Sequence, residues 1–486
     1  MPRDALLSLS TSRRAHWAPS VPSVRSVVIA WKYPFFRRQQ LSQNTTPRSK
    51  YVHYLRTMEK LSLADQAQLE FWPEHQKALY KRLEDKHTHV EIDESDPLAT
   101  RVVLNMGPQH PATHGVLRAI LLLDGEKIVK AVIDIGYLHR GIEKIAEYKT
   151  PQEFMPYTDR MDYLSPYSNN VAWCLAVEKL LQIQAPPRAQ YIRTIAAELA
   201  RISSHLLWLG TMVMDAGAVS MFLWTFRERE KIYSIFDKLA GVRFTVSHAR
   251  IGGVQYDITD ETISMVKSFI TGFYKELKDW RRLLDKNPIF LRRVEGVGVI
   301  SKEDAIAYGF TGPNLRASGV PYDVRLYEPY LVYNDVDFEV PVRTEGDILA
   351  RYHVRMAEME QSARIIEQLL AKLPKGPIGL DNAKYAYPSK DEVYFSMEGM
   401  IHDFMMTDTG PRAPAGVEAY HAIEAPKGEL GFYIYSDGTG IPWRVKIKSP
   451  SFANIQVLEK LLEGAMVSDA VLLIGSVDPV LGEADK

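Results

Sequence analysis

The sequence predicts an α+β protein: a central helical bundle, a small antiparallel sheet before it and a mixed α/β region after it. Three observations carry that expectation. Between residues 101 and 136, RVVLNMGPQHPATHGVLRAILLLDGEKIVKAVIDIG alternates β-rich runs around a DGE turn at 124–126, the pattern of a hairpin. Residues 150–285 and 347–373 hold long amphipathic stretches of helical period. Beyond residue 390, GELGFYIYSDG and WRVKIKS read as strands, with an apolar helix near 453–467.

Taken in order, residues 1–57 form a basic, disordered extension with ten Lys/Arg and one acid, Asp4. Rich in Arg and Ser and punctuated by Pro, it has the composition of a mitochondrial transit peptide; the alternative is an over-extended start, with Met58 the true beginning. Residues 58–97 read as a charged, peripheral helical segment. The β region spans 98–149, and its loop holds two prolines and two histidines. The helical core spans 150–390, with NNVAWCLAVEKLLQI (169–183), QYIRTIAAELARISSHLLWLG (190–210), FREREKIYSIFDKLAG (226–241) and DETISMVKSFITGFYKELKDWRRLLD (260–285) as helices. Residues 296–345 are Gly/Pro-rich and irregular. A further helix at 347–373 stops before Pro374 and Gly376, and 391–486 form the C-terminal α+β region.

Composition narrows the function. The 486 residues are 46% hydrophobic and 24% charged, ordinary for a globular chain. Net charge is −1, so outside the basic extension the balance is about −10, against a nucleic-acid-binding body. The one cysteine, Cys174, excludes an intramolecular disulfide, a zinc site of Cys ligands and an iron–sulfur cluster held by this chain alone.

LLWLGTMVMDAGAVSMFLW (206–224) is long enough to span a membrane, yet it holds Asp215 and two glycines and runs into Arg227-Glu228-Arg229-Glu230. A buried helix pair broken near Asp215 is the better reading. An ionised carboxylate there is costly unless paired. In DAGA (215–218), Asp215 could equally be the N-cap of the next helix after a break. In GPQHPATHG (107–115), His110 and His114 stand four apart, a metal-binding spacing on a helix, but Pro108, Pro111 and Gly115 forbid a regular one. HRGIEK (139–144) and DRMDYLS (159–165) read singly as solvated edges or structural ion pairs, and SVDPVLGEADK (476–486) as a frayed tail.

Their order is more telling. GPQHPATHGVLR, HRGIEK, DRMDYLS, AVEKLL, GPRAPAG, PKGELGFYIYSDG and SVDPVLGEADK, in that succession, resemble the 49-kDa-type (NuoD) subunit family of respiratory complex I, the NADH:quinone oxidoreductase, across about residues 98–486. That family is related to the large subunit of nickel–iron hydrogenases, which implies a hydrogenase large-subunit-like fold. At the positions of the four hydrogenase thiolates this sequence has Asp162, Ser165, Val480 and Glu483, with Lys486 at the final ligand position. Such a set cannot replace soft thiolates, so no resident metal is expected. The vacated cavity is, by the resemblance, the head-group end of a quinone chamber.

The resemblance implies roles as well. Tyr163 and His114 would hydrogen-bond the two quinone carbonyls, and Asp215 would orient His114. Thr211, Phe222, Leu207 and His110 would line the chamber. Arg140 and Arg160 would face the iron–sulfur cluster of the neighbouring subunit. Quinone would be the substrate. The expected partners are the iron–sulfur subunit of the quinone module, the 30-kDa-type subunit and membrane-arm subunits at the quinone entrance; the chain itself would be peripheral to the membrane and bind no nucleic acid. One departure is Thr245, where mitochondrial members commonly carry a histidine. With residues 243–254 and GVEAYHAIEAPKGELGFYI, it points to a bacterial inner membrane, cytoplasmic side; the alternative is the mitochondrial inner membrane, matrix side. The competing function is a non-catalytic, hydrogenase-like scaffold subunit of a related membrane complex.

Overall fold

The computed structural model describes residues 101–382 and 384–486. The expectations for 1–57 and 58–97 lie outside them. A central helical bundle is flanked by small antiparallel sheets, as the hydrogenase-like reading requires.

The first sheet is β1 (Arg101–Met106), β2 (Arg118–Asp124) and β3 (Lys127–Asp134), in that spatial order. The central strand RAILLLD is buried from Ala119 to Leu123, which explains its unbroken apolar run. Gly125, in the left-handed region at φ 58°, makes the tight turn into β3. The β1–β2 connection carries the two histidines. At its start, a side-chain carbon on Gly107 would lie 2.0 Å from the Leu117 carbonyl oxygen, so only glycine fits.

The bundle is built from α1 (Pro166–Leu181), α2 (Pro187–Asp215), α3 (Val219–Ala240), α4 (Asp260–Leu284) and α5 (Ile348–Lys372). In α4 the buried residues Val266, Phe269, Ile270, Phe273, Leu277, Trp280 and Leu284 recur at helical spacing, one apolar stripe facing the core. Its N-terminus is capped by the Thr259 side chain, which accepts from the Thr262 N–H. Asp347 caps α5 in the same way, accepting from Ala350 N–H at 2.7 Å.

The apolar stretch 206–224 divides between α2 and α3, and no helix among the described residues is long and apolar enough to cross a membrane. The N-cap reading of Asp215 fails. Asp215 is the last residue of α2, and α3 starts after Ala218, which makes no side-chain cap bond.

The other three-stranded sheet is β4 (Glu418–Ala425), β5 (Gly428–Tyr435) and β6 (Arg444–Lys448). Ala425 pairs with Gly428, leaving Pro426-Lys427 as a two-residue turn. The apolar helix expected near 453–467 is displaced. That interval holds two short helices, Pro450–Gln456 and Leu458–Leu462, and the apolar helix is α6, Val467–Val477. Trp208 of α2 donates its indole N–H to the Gly475 carbonyl at 2.8 Å, and Arg355 of α5 lies over the Trp208 ring at 4.3 Å. These contacts clamp α6 against the bundle. The tail is not frayed: Glu483 and Asp485 are buried, and Asp485 accepts the backbone N–H groups of Gly136 and Leu138 at 2.9 and 2.8 Å.

Candidate functional site between the His loop and the bundle

The histidine loop folds as a short 3₁₀ turn, Pro111–Thr113, with His110 extended before it and His114 left-handed after it. A left-handed non-glycine residue costs energy unless its surroundings hold it. Here the Thr113 hydroxyl bonds to the carbonyls of His110 and Gly115 at 2.8 and 2.9 Å. The turn throws the His114 ring onto the end of α2, where Nε2 meets Asp215 Oδ2 at 2.7 Å, both side chains mostly shielded. That contact is short enough for a charge-assisted bond.

Gly475 of α6 makes the pair possible. A side-chain carbon there would stand 3.0 Å from His114 Nε2 and 3.5 Å from Asp215 Oδ2. Nothing in VLLIGSV marked this glycine in the sequence; the signal lies in the packing of α6 alone. Asp215 sits at the carbonyl end of α2, the negative end of its dipole, where a carboxylate is disfavoured. His114 supplies its compensation.

A cavity of about 920 Å³ opens beside this pair. Its lining includes His110, His114, Tyr163, Leu207, Thr211 and Asp215, together with Val116, Leu164, Met214, Asp478, Pro479 and Val480. The wall is largely apolar, with two imidazoles, two carboxylates, the Thr211 hydroxyl and the phenol among its polar points. Burial first, then the neighbouring Asp162, raise the Tyr163 phenol above its ordinary value of 10.0, so it is a hydrogen-bond donor throughout the physiological range. Phe222 is not among the lining residues; its ring packs on Phe226 at 4.2 Å, and its backbone lies against Gly210. Arg140 and Arg160 are exposed and bound to each other, Arg140 donating to the Arg160 carbonyl at 2.5 Å.

Sequence reading missed further residues here, two of them informative. Met214 is one. The other is Lys427, which a two-residue turn normally gives to solvent, but which is fully buried. Its Nζ donates to Ser204 Oγ at 2.7 Å and stands 3.3 Å from Asp162 Oδ2 and 3.6 Å from Asp478 Oδ2. The positive charge beside Asp162 and Glu483 is therefore this lysine ammonium. The Ser165 hydroxyl is tied to Ser168, and the Val480 N–H donates to Ser451. The charged motif HRGIEK serves partly as a structural ion pair, Glu143 with Lys446 at 3.0 Å. Three residues beyond Thr245, His248 is buried, bonded to Tyr167 and the Tyr256 carbonyl, and depressed to about 4 by burial; it stays neutral.

Fold and site together define a class: a hydrogenase-large-subunit-like body with a cavity beside the His114–Asp215 pair and a buried lysine–carboxylate cluster next to it. Residues 215–486 match the family described as respiratory-chain NADH dehydrogenase, 49 Kd subunit. The chain is 62% identical over 435 residues to the D-type subunit of NADH-quinone oxidoreductase from Salinibacter ruber, covering 86% of this chain and 96% of that protein. It is 63% identical over 408 residues to the first D-type subunit of NADH-quinone oxidoreductase from Chloroherpeton thalassium, covering 84% and 92%. For the D-type subunit from Methylacidiphilum infernorum the identity is 52% over 390 residues, covering 80% and 93%. The chain belongs to the 49-kDa subunit family of the respiratory-chain NADH dehydrogenase.

Proposed function

We propose that the cavity beside His114 and Tyr163 receives the head group of a quinone, and that this chain is the quinone-site subunit of an NADH:quinone oxidoreductase. The observation that carries the reading is the Asp215–His114 pair at 2.7 Å, opening with Tyr163 onto one largely apolar cavity. A quinone is a flat apolar ring with two carbonyl oxygens, so it calls for apolar walls and two hydrogen-bond donors. Relatives named as subunits of NADH-quinone oxidoreductase support it.

Reduction to quinol takes two electrons and two protons. Electrons come from the iron–sulfur cluster of a neighbouring subunit, which Arg140 and Arg160 face. Tyr163 donates from its hydroxyl to one developing oxyanion, and the His114 ring donates to the other. Asp215 holds the imidazole in register. Leu207, Thr211 and Met214 keep water off the ring, and Phe222 supports that wall from behind. The chain docks, without spanning the membrane, on the iron–sulfur subunit, a 30-kDa-type subunit and membrane-arm subunits, on the inner face of the membrane.

The test is Tyr163→Phe in the fully assembled complex, which deletes one donor and little volume. Quinone reductase activity should fall by about 10²–10³, with NADH oxidation by an artificial acceptor retained. Wild-type quinone turnover in that variant would leave a scaffold as the better reading.

A further inference from the structure

Resting on the quinone-site reading above, we propose that Glu483 is the proton store that reloads Tyr163 after each quinone reduction, acting through the Asp162–Lys427–Asp478 cluster. Three carboxyl groups, Asp162, Asp478 and Glu483, crowd one ammonium, Lys427, and all four residues are buried. Asp162 and Asp478 each lie within 3.6 Å of the lysine nitrogen. Glu483 makes no ion pair among the described residues; its Oε1 accepts the Ser451 N–H at 3.2 Å and the hydroxyl of the same serine. Other cations act at longer range, Arg229 on Asp162, Arg355 on Asp478 and Lys486 on Glu483. A dry site does not hold surplus negative charge, so the carboxyl group without an ammonium of its own keeps its proton. Burial first, and then Asp162, push Glu483 up to about 8.

The cluster abuts the tyrosine. Asp162 precedes Tyr163 in the chain, and Asp478 lines the same cavity. A side-chain carbon on Gly482, the residue before Glu483, would stand 3.1 Å from the Tyr163 ring. Glu483 Oε2 has no hydrogen-bond partner among the described residues and is open to a travelling proton, and Asp478 Oδ2 has only the Lys427 ammonium, at 3.6 Å.

The step balances. Tyr163 gives its hydroxyl proton to the reduced quinone oxygen and becomes tyrosinate, the electrons having come from the neighbouring subunit's iron–sulfur cluster. Glu483 then loses its proton to that tyrosinate, becoming a carboxylate, and solvent later returns a proton to Glu483. Tyr163 titrates above its ordinary 10.0 and Glu483 near 8, so the transfer runs downhill. Glu483 acts through Tyr163 and does not touch the quinone.

Glu483→Gln keeps the acceptor for Ser451 and nearly the same volume but has no proton to release. In the assembled complex its quinone turnover should fall about 10-fold or more, short of the full effect of a proton donor because water can replace part of the route. Wild-type turnover should decline as pH rises through about 8, the glutamine profile should be flat there, and Glu483→Asp should recover part of the rate. Wild-type turnover and an unchanged pH profile in Glu483→Gln, with Tyr163→Phe still impaired, overturn the proton store alone. If Tyr163→Phe is also unimpaired, it is the quinone-site reading that falls. Should the glutamine variant fail to assemble, infrared spectra of the wild-type complex decide. A carboxylic-acid carbonyl band that fades as pH rises through about 8 and shifts in Glu483→Asp supports the store, and no such band at neutral pH overturns it.

Discussion

Asp215 and Gly475 show how few atoms the site depends on. Asp215 ends α2 where the helix dipole disfavours it, so its carboxylate serves His114 at a local cost. Asp215→Asn should therefore leave thermal stability unchanged or slightly raised, by a few tenths of a kcal/mol, while quinone reductase activity drops. A parallel loss of melting temperature and activity would mean the carboxylate is structural. Gly475→Ala makes the complementary point. Its methyl would arrive 3.0 Å from His114 Nε2, and because the glycine carbonyl is held by Trp208, α6 cannot easily retreat. The ring must shift, so the quinone KM should rise several-fold with assembly intact. An unchanged KM would show that the ring has room to move.

Among the elements, α4 offers the plainest test of what holds the bundle together. Trp280 is buried and packs edge-on against Phe273 at 6.1 Å, whereas Lys278, two residues earlier, is exposed. Trp280→Ala should cost about 3–5 kcal/mol in denaturant unfolding, and Lys278→Ala within about 0.5 kcal/mol. Equal effects would contradict the single apolar stripe. The same stripe is why α4 and α5 were legible within a residue of their ends: each keeps a polar face, and the contrast has a helical period. In α6 the run LLIGSV (472–477) is buried on all sides and has no polar face to set a period. The short helices at Pro450–Gln456 and Leu458–Leu462 drew the expectation towards themselves.

For the whole molecule, buried titratable groups set opposite pH limits. Glu483 holds a proton up to about 8, against 4.5 for a free glutamate. Its stabilising contribution is complete below about 4.5 and is lost as pH rises through about 8, because the unfolded chain has already released that proton. His248 runs the other way. Depressed from 6.5 to about 4 by burial, it stabilises above about 6.5, and that contribution is lost as pH falls through about 4. Melting temperatures across this range should fall at both ends, and Glu483→Gln should flatten the alkaline limb only. An alkaline limb as steep in Glu483→Gln as in the wild type would mean that Glu483 is already ionised in the fold.

By itself, the sequence determined the family, through the order of its motifs, the α+β layout, through hydrophobic period and turn residues, and the absence of cysteine ligands at Asp162, Ser165, Val480 and Glu483. Those are local or linear properties, written in neighbouring residues. Only the tertiary structure decided which groups share a cavity. His114 and Asp215 lie 101 positions apart, and their 2.7 Å contact depends on a left-handed turn, the end of α2 and a side-chain-free position on α6 all arriving together. Lys427 sits in a two-residue turn yet is fully buried, and Phe222, expected to line the chamber, packs on Phe226. Their true surroundings were set by how β5 and α3 pack against distant chain, because burial and close approach depend on every element present and no stretch of sequence holds them alone.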